Sequence, residues 1–163
     1  MITKNSWSEC GPVLLEALDS SLQVPYRALI LVDDGDDRTR LVVAEWCMEH
    51  GVELFWTRSR LYGHPHPTRA TARQTAIDVF LECFGDEWLM FLDDDAVLNP
   101  GWWGEAEPYT RDPKVGLIWG VNYDAAPFRR RLLEALGIDY VAYLVRQFEA
   151  RGGTHDTLLR REA

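Results

Sequence analysis

Lysine is almost missing from this chain: Lys4 and Lys114 are the only two in 163 residues, and the rest of the 17 basic side chains are arginine. Set against 26 acidic residues they leave a formal charge of −9, so the molecule repels nucleic acid and anionic membrane unless cations intervene. Cysteine is scarce too. Cys10, Cys47 and Cys83 form an odd set without metal-like spacing, so they are expected to be small reduced core residues of a cytoplasmic protein. No apolar run approaches the ~18 residues that a membrane span needs, and no charged-then-apolar leader opens the chain. Internal repeats and low-complexity segments are missing as well. Neither Gly-x-Gly-x-x-Gly nor a P-loop occurs, so any phosphate bound here is neutralised by some other device. What is present is the material of one folded domain: 47% hydrophobic residues, with 12% aromatics, exclude a disordered tail.

The chain is organised around Glu87-Trp88-Leu89-Met90-Phe91-Leu92-Asp93-Asp94-Asp95, an apolar run that ends in three carboxylates. Trp88 to Leu92 is short, aromatic-rich and preceded by a Gly85-Asp86 turn, which suits a buried strand. In an open parallel sheet ligands gather at the carboxyl ends of the strands, where these acids would lie. Adjacent carboxylates repel, and a hard divalent cation relieves the repulsion while leaving positions open for phosphate oxygens. Asp93 and Asp95 are therefore a candidate Asp-x-Asp metal and nucleotide site. The plain alternative is an acidic turn after a strand.

Taken in order, Ile2-Thr3 reads as the tail of a strand, and a helix follows from Cys10-Gly11-Pro12, with Pro12 at a first-turn position. Ala28 to Val32 reads as a fully buried strand ending in Asp33-Asp34-Gly35-Asp36-Asp37, a second strand that ends in acid. Leu41 to His50 is a helix closed by Gly51, and Val52 to Trp56 is a third strand. His64-Pro65-His66-Pro67 lies in a polar loop, and its two histidines lack an adjacent third ligand. Thr68 to Phe84 is a helix whose early Arg73 sits where the helix dipole disfavours positive charge, so its expected partner is an anion, with an ordinary solvated arginine as the plain alternative. Trp102-Trp103, after Asn99-Pro100-Gly101, suit either sugar stacking or packing. Residues 115–121 form a further strand, 128–136 and 140–150 are helices, and Gly152-Gly153 is a hinge. Thr154 would cap a final helix carrying His155 and Asp156 in its first turn. Alternating strands and helices argue for a mainly parallel α/β sheet with right-handed crossovers.

Thr3-Lys4-Asn5, Glu16 to Leu22, Val32-Asp33-Asp34-Gly35, Ala72-Arg73-Gln74, Phe91 to Asp95 and Asn99-Pro100-Gly101-Trp102 together resemble the inverting family 2 glycosyltransferases of the GT-A fold. The resemblance implies one GT-A domain over 1–163, a Rossmann-like sandwich with a mainly parallel central sheet, a nucleotide-binding half at 1–97 and an acceptor half at 98–163. Met1 to Thr3 offer fewer residues than the ~5–6 of an ordinary strand, so the first strand is expected to be truncated. The implied donor is a nucleoside-diphosphate sugar, UDP- or GDP-linked, and the implied acceptor a hydroxyl, in a hexosyltransferase-type reaction. Asn5, Asp33 and Asp34 would contact base and ribose, and Arg73 the nucleotide or its diphosphate. Asp93, beside Asp94, would lie nearer the ribose, and Asp95 would be the stronger ligand of magnesium or manganese. Asp156 matches the catalytic base, although His155 stands where the family has glutamate. The same residues leave two other readings open: a truncated or non-catalytic nucleotide-sugar-binding domain, and a sugar-phosphate nucleotidyltransferase, for which no lysine is suitably placed.

Overall fold

Leu29 to Val32 is apolar at every position, as a strand covered on both faces must be. The computed structural model, which describes residues 1–120, 135–139 and 156–162, makes it the middle of β2 (Ala28–Asp33). Before it come β1 (Ile2–Thr3), α1 (Ser6–Cys10) and α2 (Pro12–Ser21). After it come α3 (Thr39–His50), β3 (Glu53–Thr57), α4 (Arg69–Cys83), β4 (Trp88–Leu92), α5 (Trp102–Thr110), β5 (Leu117–Trp119) and β6 (Asp156–Arg160). Alternate side chains of β2 enter different cores. Leu31 packs with Leu14, Leu18, Val43 and Trp46 from α2 and α3. Ile30 and Val32 pack with Ala72, Ala76 and Phe80 from α4. Leu14, Leu31 and Val43 are fully buried, each contributing about 1.5–3 kcal/mol by leaving water.

β1, β2 and β3 form a parallel sheet in that order, with Ile2 opposite Val32 and Leu31 opposite Trp56. Here the expected parallel architecture is found. The other sheet differs, because its order is β4-β6-β5 and β6 runs antiparallel to both neighbours. Residues 156–160 are therefore a strand and not the expected final helix. Thr154 and Asp156 looked like a local cap, but Thr157 to Arg160 find partners on two sides, and pairing overrides a local signal. Arg160 fastens that strand: Nε donates to the Val115 carbonyl at 2.7 Å and Nη2 to the Asp112 and Thr110 carbonyls at 2.8 and 3.0 Å. Its guanidinium also lies 4.6 Å from the Trp88 ring centroid and pairs with Glu87.

The helix expected from Pro12 is α2, and a short unanticipated α1 precedes it. α1 ends at Gly11, whose φ of +32° breaks the run before Pro12 opens α2 at its first position. α3 ends as expected on left-handed Gly51, and α4 begins on a capping box in which Thr68 and Thr71 satisfy each other's backbone N–H. Trp102 and Trp103 open the unanticipated α5, after left-handed Gly101, and both pack against the α2 and β2 core. Of the expected 115–121 strand, Leu117–Trp119 is formed. The helices expected at 128–136 and 140–150, the glycine hinge, Thr154 and His155 fall wholly or mostly outside the described residues. Only Cys47 of the three thiols is a core residue, while Cys83 is exposed and Cys10 half-buried. Among the described residues no helix is long and apolar enough to cross a membrane.

Candidate functional site

β1 and β2 end side by side, and the chemistry starts at their last residues. Thr3 lies opposite Asp33, and its hydroxyl donates to Asp33 Oδ1 at 3.0 Å, as does the Gly35 N–H. Asp33 is 4% exposed, so these bonds hold a carboxylate that water scarcely reaches. Asp34 is held from another side. The Ser59 N–H, just beyond β3, donates to Asp34 Oδ1 at 2.9 Å, and the Ser59 hydroxyl donates to Asp34 Oδ2. Asn5 sits in a left-handed conformation at φ 57° and accepts the Asp36 N–H on Oδ1 at 2.9 Å. Gly35 fits beneath it only because it lacks a side chain: a Cβ there would lie 2.4 Å from the Asn5 nitrogen.

One residue further on, Ser6 ties this cluster to the triple acid. Ser6 is buried, and its hydroxyl donates to Asp94 Oδ2, which joins the start of α1 to the end of β4. Burial raises the Asp94 pKa, the Ser6 bond opposes that rise, and the neighbouring Asp95 and Asp93 charges reinforce it. Arg73 approaches from α4, with Nη2 3.3 Å from Asp93 Oδ1, while its Nε is buried without an acceptor among the described residues. Asp95 is exposed at the turn. On the remaining side, the register of β6 sets Asp156 opposite Leu92, the residue before Asp93.

The ends of β1, β2 and β4 thus bring Asn5, Asp33, Asp34, Arg73, Asp93, Asp94 and Asp95 into one linked set, with the backbone of Asp156 beside it. Ser6 and Ser59 belong to the set and carry no sequence signal, since their partners are 88 and 25 residues away. His64 and His66 lie in an exposed loop. Among the described residues no three His, Cys, Asp or Glu side chains converge to hold a metal unaided. Magnesium needs no such cage: it takes one or two carboxylates and completes its shell with substrate phosphates and water. The exposed Asp95 and neighbouring Asp93 fit that partial role. A family model described as Glycosyl transferase family 2 matches residues 1–161. Comparison with curated proteins finds no match.

Proposed function

The chain belongs to glycosyl transferase family 2, and from that premise we propose that it moves a hexosyl group from a UDP- or GDP-sugar to an acceptor hydroxyl with inversion. The carrying observation is the register that puts Asp156 across from Leu92, so the proposed base and the acidic cluster share one end of β4. In this reading residues 1–97 of a Rossmann-like sandwich hold the nucleotide and residues 98–163 the acceptor. Asn5, Asp33 and Asp34 border the base and ribose, with Ser59 fixing Asp34. Arg73, whose Nε has no acceptor among the described residues, meets the diphosphate, for which a guanidinium is well shaped. Asp95, with Asp93, would hold magnesium or manganese, which when bound neutralises charge on the departing diphosphate.

Asp156 takes the proton from the acceptor hydroxyl as its oxygen attacks the anomeric carbon from the face opposite the leaving group. The new C–O bond forms while the bond to the β-phosphate oxygen breaks, and the electron pair leaves with the nucleoside diphosphate. Asp93 and Asp95 are occupied on the donor side, so the base comes from another element, and β6 supplies it. The test combines calorimetry with a transfer assay. UDP or GDP should bind with manganese and lose affinity in excess chelator or in Asp95→Ala. Asp156→Asn should keep donor binding while transfer falls by roughly 10²-fold or more. Unchanged nucleotide affinity in chelator would remove the metal from the scheme, and near-normal transfer by Asp156→Asn beside an inactive His155→Ala would move the base to the histidine.

A further inference from the structure

β3 closes one side of the parallel sheet, and among the described residues only β2 pairs with it. Open edges are ordinarily blunted by proline, lysine or a bulge. β3 has none of these: Glu53-Leu54-Phe55-Trp56-Thr57 pairs with β2 residue for residue, and Trp56 is 42% exposed. Leu31 faces the core under α2 and α3, and Trp56, opposite Leu31 in register, lies on that same face. The apolar surface continues onto α3. Glu45, Trp46 and Glu49 line the cleft between α3 and α2, so helix periodicity turns Arg40, Ala44 and Met48 the other way, toward the free edge of β3. Arg40 reaches it, with its guanidinium 4.3 Å from the Trp56 ring centroid. Met48 is 80% exposed, and Leu41, two turns away on α3, is exposed too.

We propose that this edge is a self-association surface, occupied by β3 of a second copy of the chain running antiparallel across a two-fold axis. An axis through Phe55 sets Phe55 against its own counterpart, Leu54 against Trp56 of the second copy, and Glu53 against Thr57 of the second copy. No like charges meet, and the aromatic and apolar pairs are of the kind that stabilises antiparallel neighbours. The axis stands normal to the sheet, so α3 of each copy lies on the same face. α3 rests on both β2 and β3, and with paired strands ~4.8 Å apart the two α3 helices come to about 10 Å from each other, a distance at which helices pack. Small Ala44 lies in the middle of the facing rows, and the two Arg40 side chains fall at opposite ends. An unrelated strand would pair the edge and leave Met48 in water. A second copy covers both at once, because it brings its own α3. The assignment rests on β3 and α3 alone and stands apart from the enzymatic reading.

The experiment runs sedimentation velocity and amide hydrogen exchange over a concentration series on the 163-residue chain and on Trp56→Lys and Met48→Lys. The parent should form a dimer whose β3 amides exchange more slowly as concentration rises. Each lysine enters a symmetric dimer twice, so each variant should weaken association by at least roughly 30-fold, the loss of one anchoring side chain. Far-ultraviolet circular dichroism should stay as in the parent. If Trp56→Lys misfolds, Met48→Lys decides alone, since that side chain is mostly in water already. A parent that is monomeric at every concentration overturns the proposal. So does a dimer that the lysine substitutions leave intact. Protection that appears on β4 instead of β3 places the contact at another edge and overturns it as well.

Discussion

Gly35 shows how closely the acid-bearing turn after β2 is packed against the turn after β1. An added Cβ would meet the Asn5 nitrogen at 2.4 Å and Oδ1 at 2.7 Å, and the nitrogen is backbone, so relief requires the turn to move. Gly35→Ala is expected to destabilise by about 1–3 kcal/mol in urea unfolding, the ordinary cost of overpacking. It should also weaken nucleotide binding, since the displaced Asn5 borders the proposed nucleotide. Gly51→Ala supplies the contrast: it has open space around it and φ of +67°, so only the left-handed backbone cost of about 1–2 kcal/mol applies. The acids after β2 and β4 were legible because each cluster directly follows an apolar run. The hydroxyls that orient them were not. Ser6 looks like any residue after an asparagine, and only folding brings it to Asp94.

Among the elements, legibility followed how local the cause was. β4 was readable to the residue from composition and the flanking turn, and α3 and α4 to within two residues from periodicity and, for α3, a terminal glycine. β6 was misread because its cause is elsewhere: Leu158 faces Met90 on one neighbour and Ile118 on the other, and neither sequence lies near it. α5 was hidden by Pro108 within it and by a tryptophan pair that drew attention to ligand stacking. The strength of β6 in this position depends on Arg160, which reaches three carbonyls and a tryptophan face while its side chain is 14% exposed. Arg160→Ala should cost ~2–4 kcal/mol in denaturant midpoint analysis, through lost packing and carbonyls left without donors. Lysine at that position should recover little, because a single ammonium cannot serve three separated carbonyls and stack on a ring.

For the molecule as a whole, the Met1 ammonium ties stability to pH near neutrality. Burial takes its pKa from 8.0 down to about 6 in the folded protein, against the opposing pull of Asp93 and Asp94. The unfolded chain therefore binds the extra proton between those values, so stability rises as pH goes from about 6 to 8 and is constant on either side as far as this group is concerned. The change should amount to ~2–3 kcal/mol, read from urea midpoints across that range, and acetylation of the amino group should flatten it. Sheet topology adds a constraint in time. β6 is the central strand of its sheet, yet its residues are synthesised last of the three, so β4 and β5 leave the ribosome without the neighbour that joins them. Trp88 waits 72 residues for Arg160, a loop whose closure entropy must be met before any ladder bond repays it. During that interval the hydrophobic edge of β4 is open to other nascent chains. Yield from a crowded expression host is thus governed by how long β4 stands alone, and slower translation or a holdase chaperone acts on that interval without altering the finished fold.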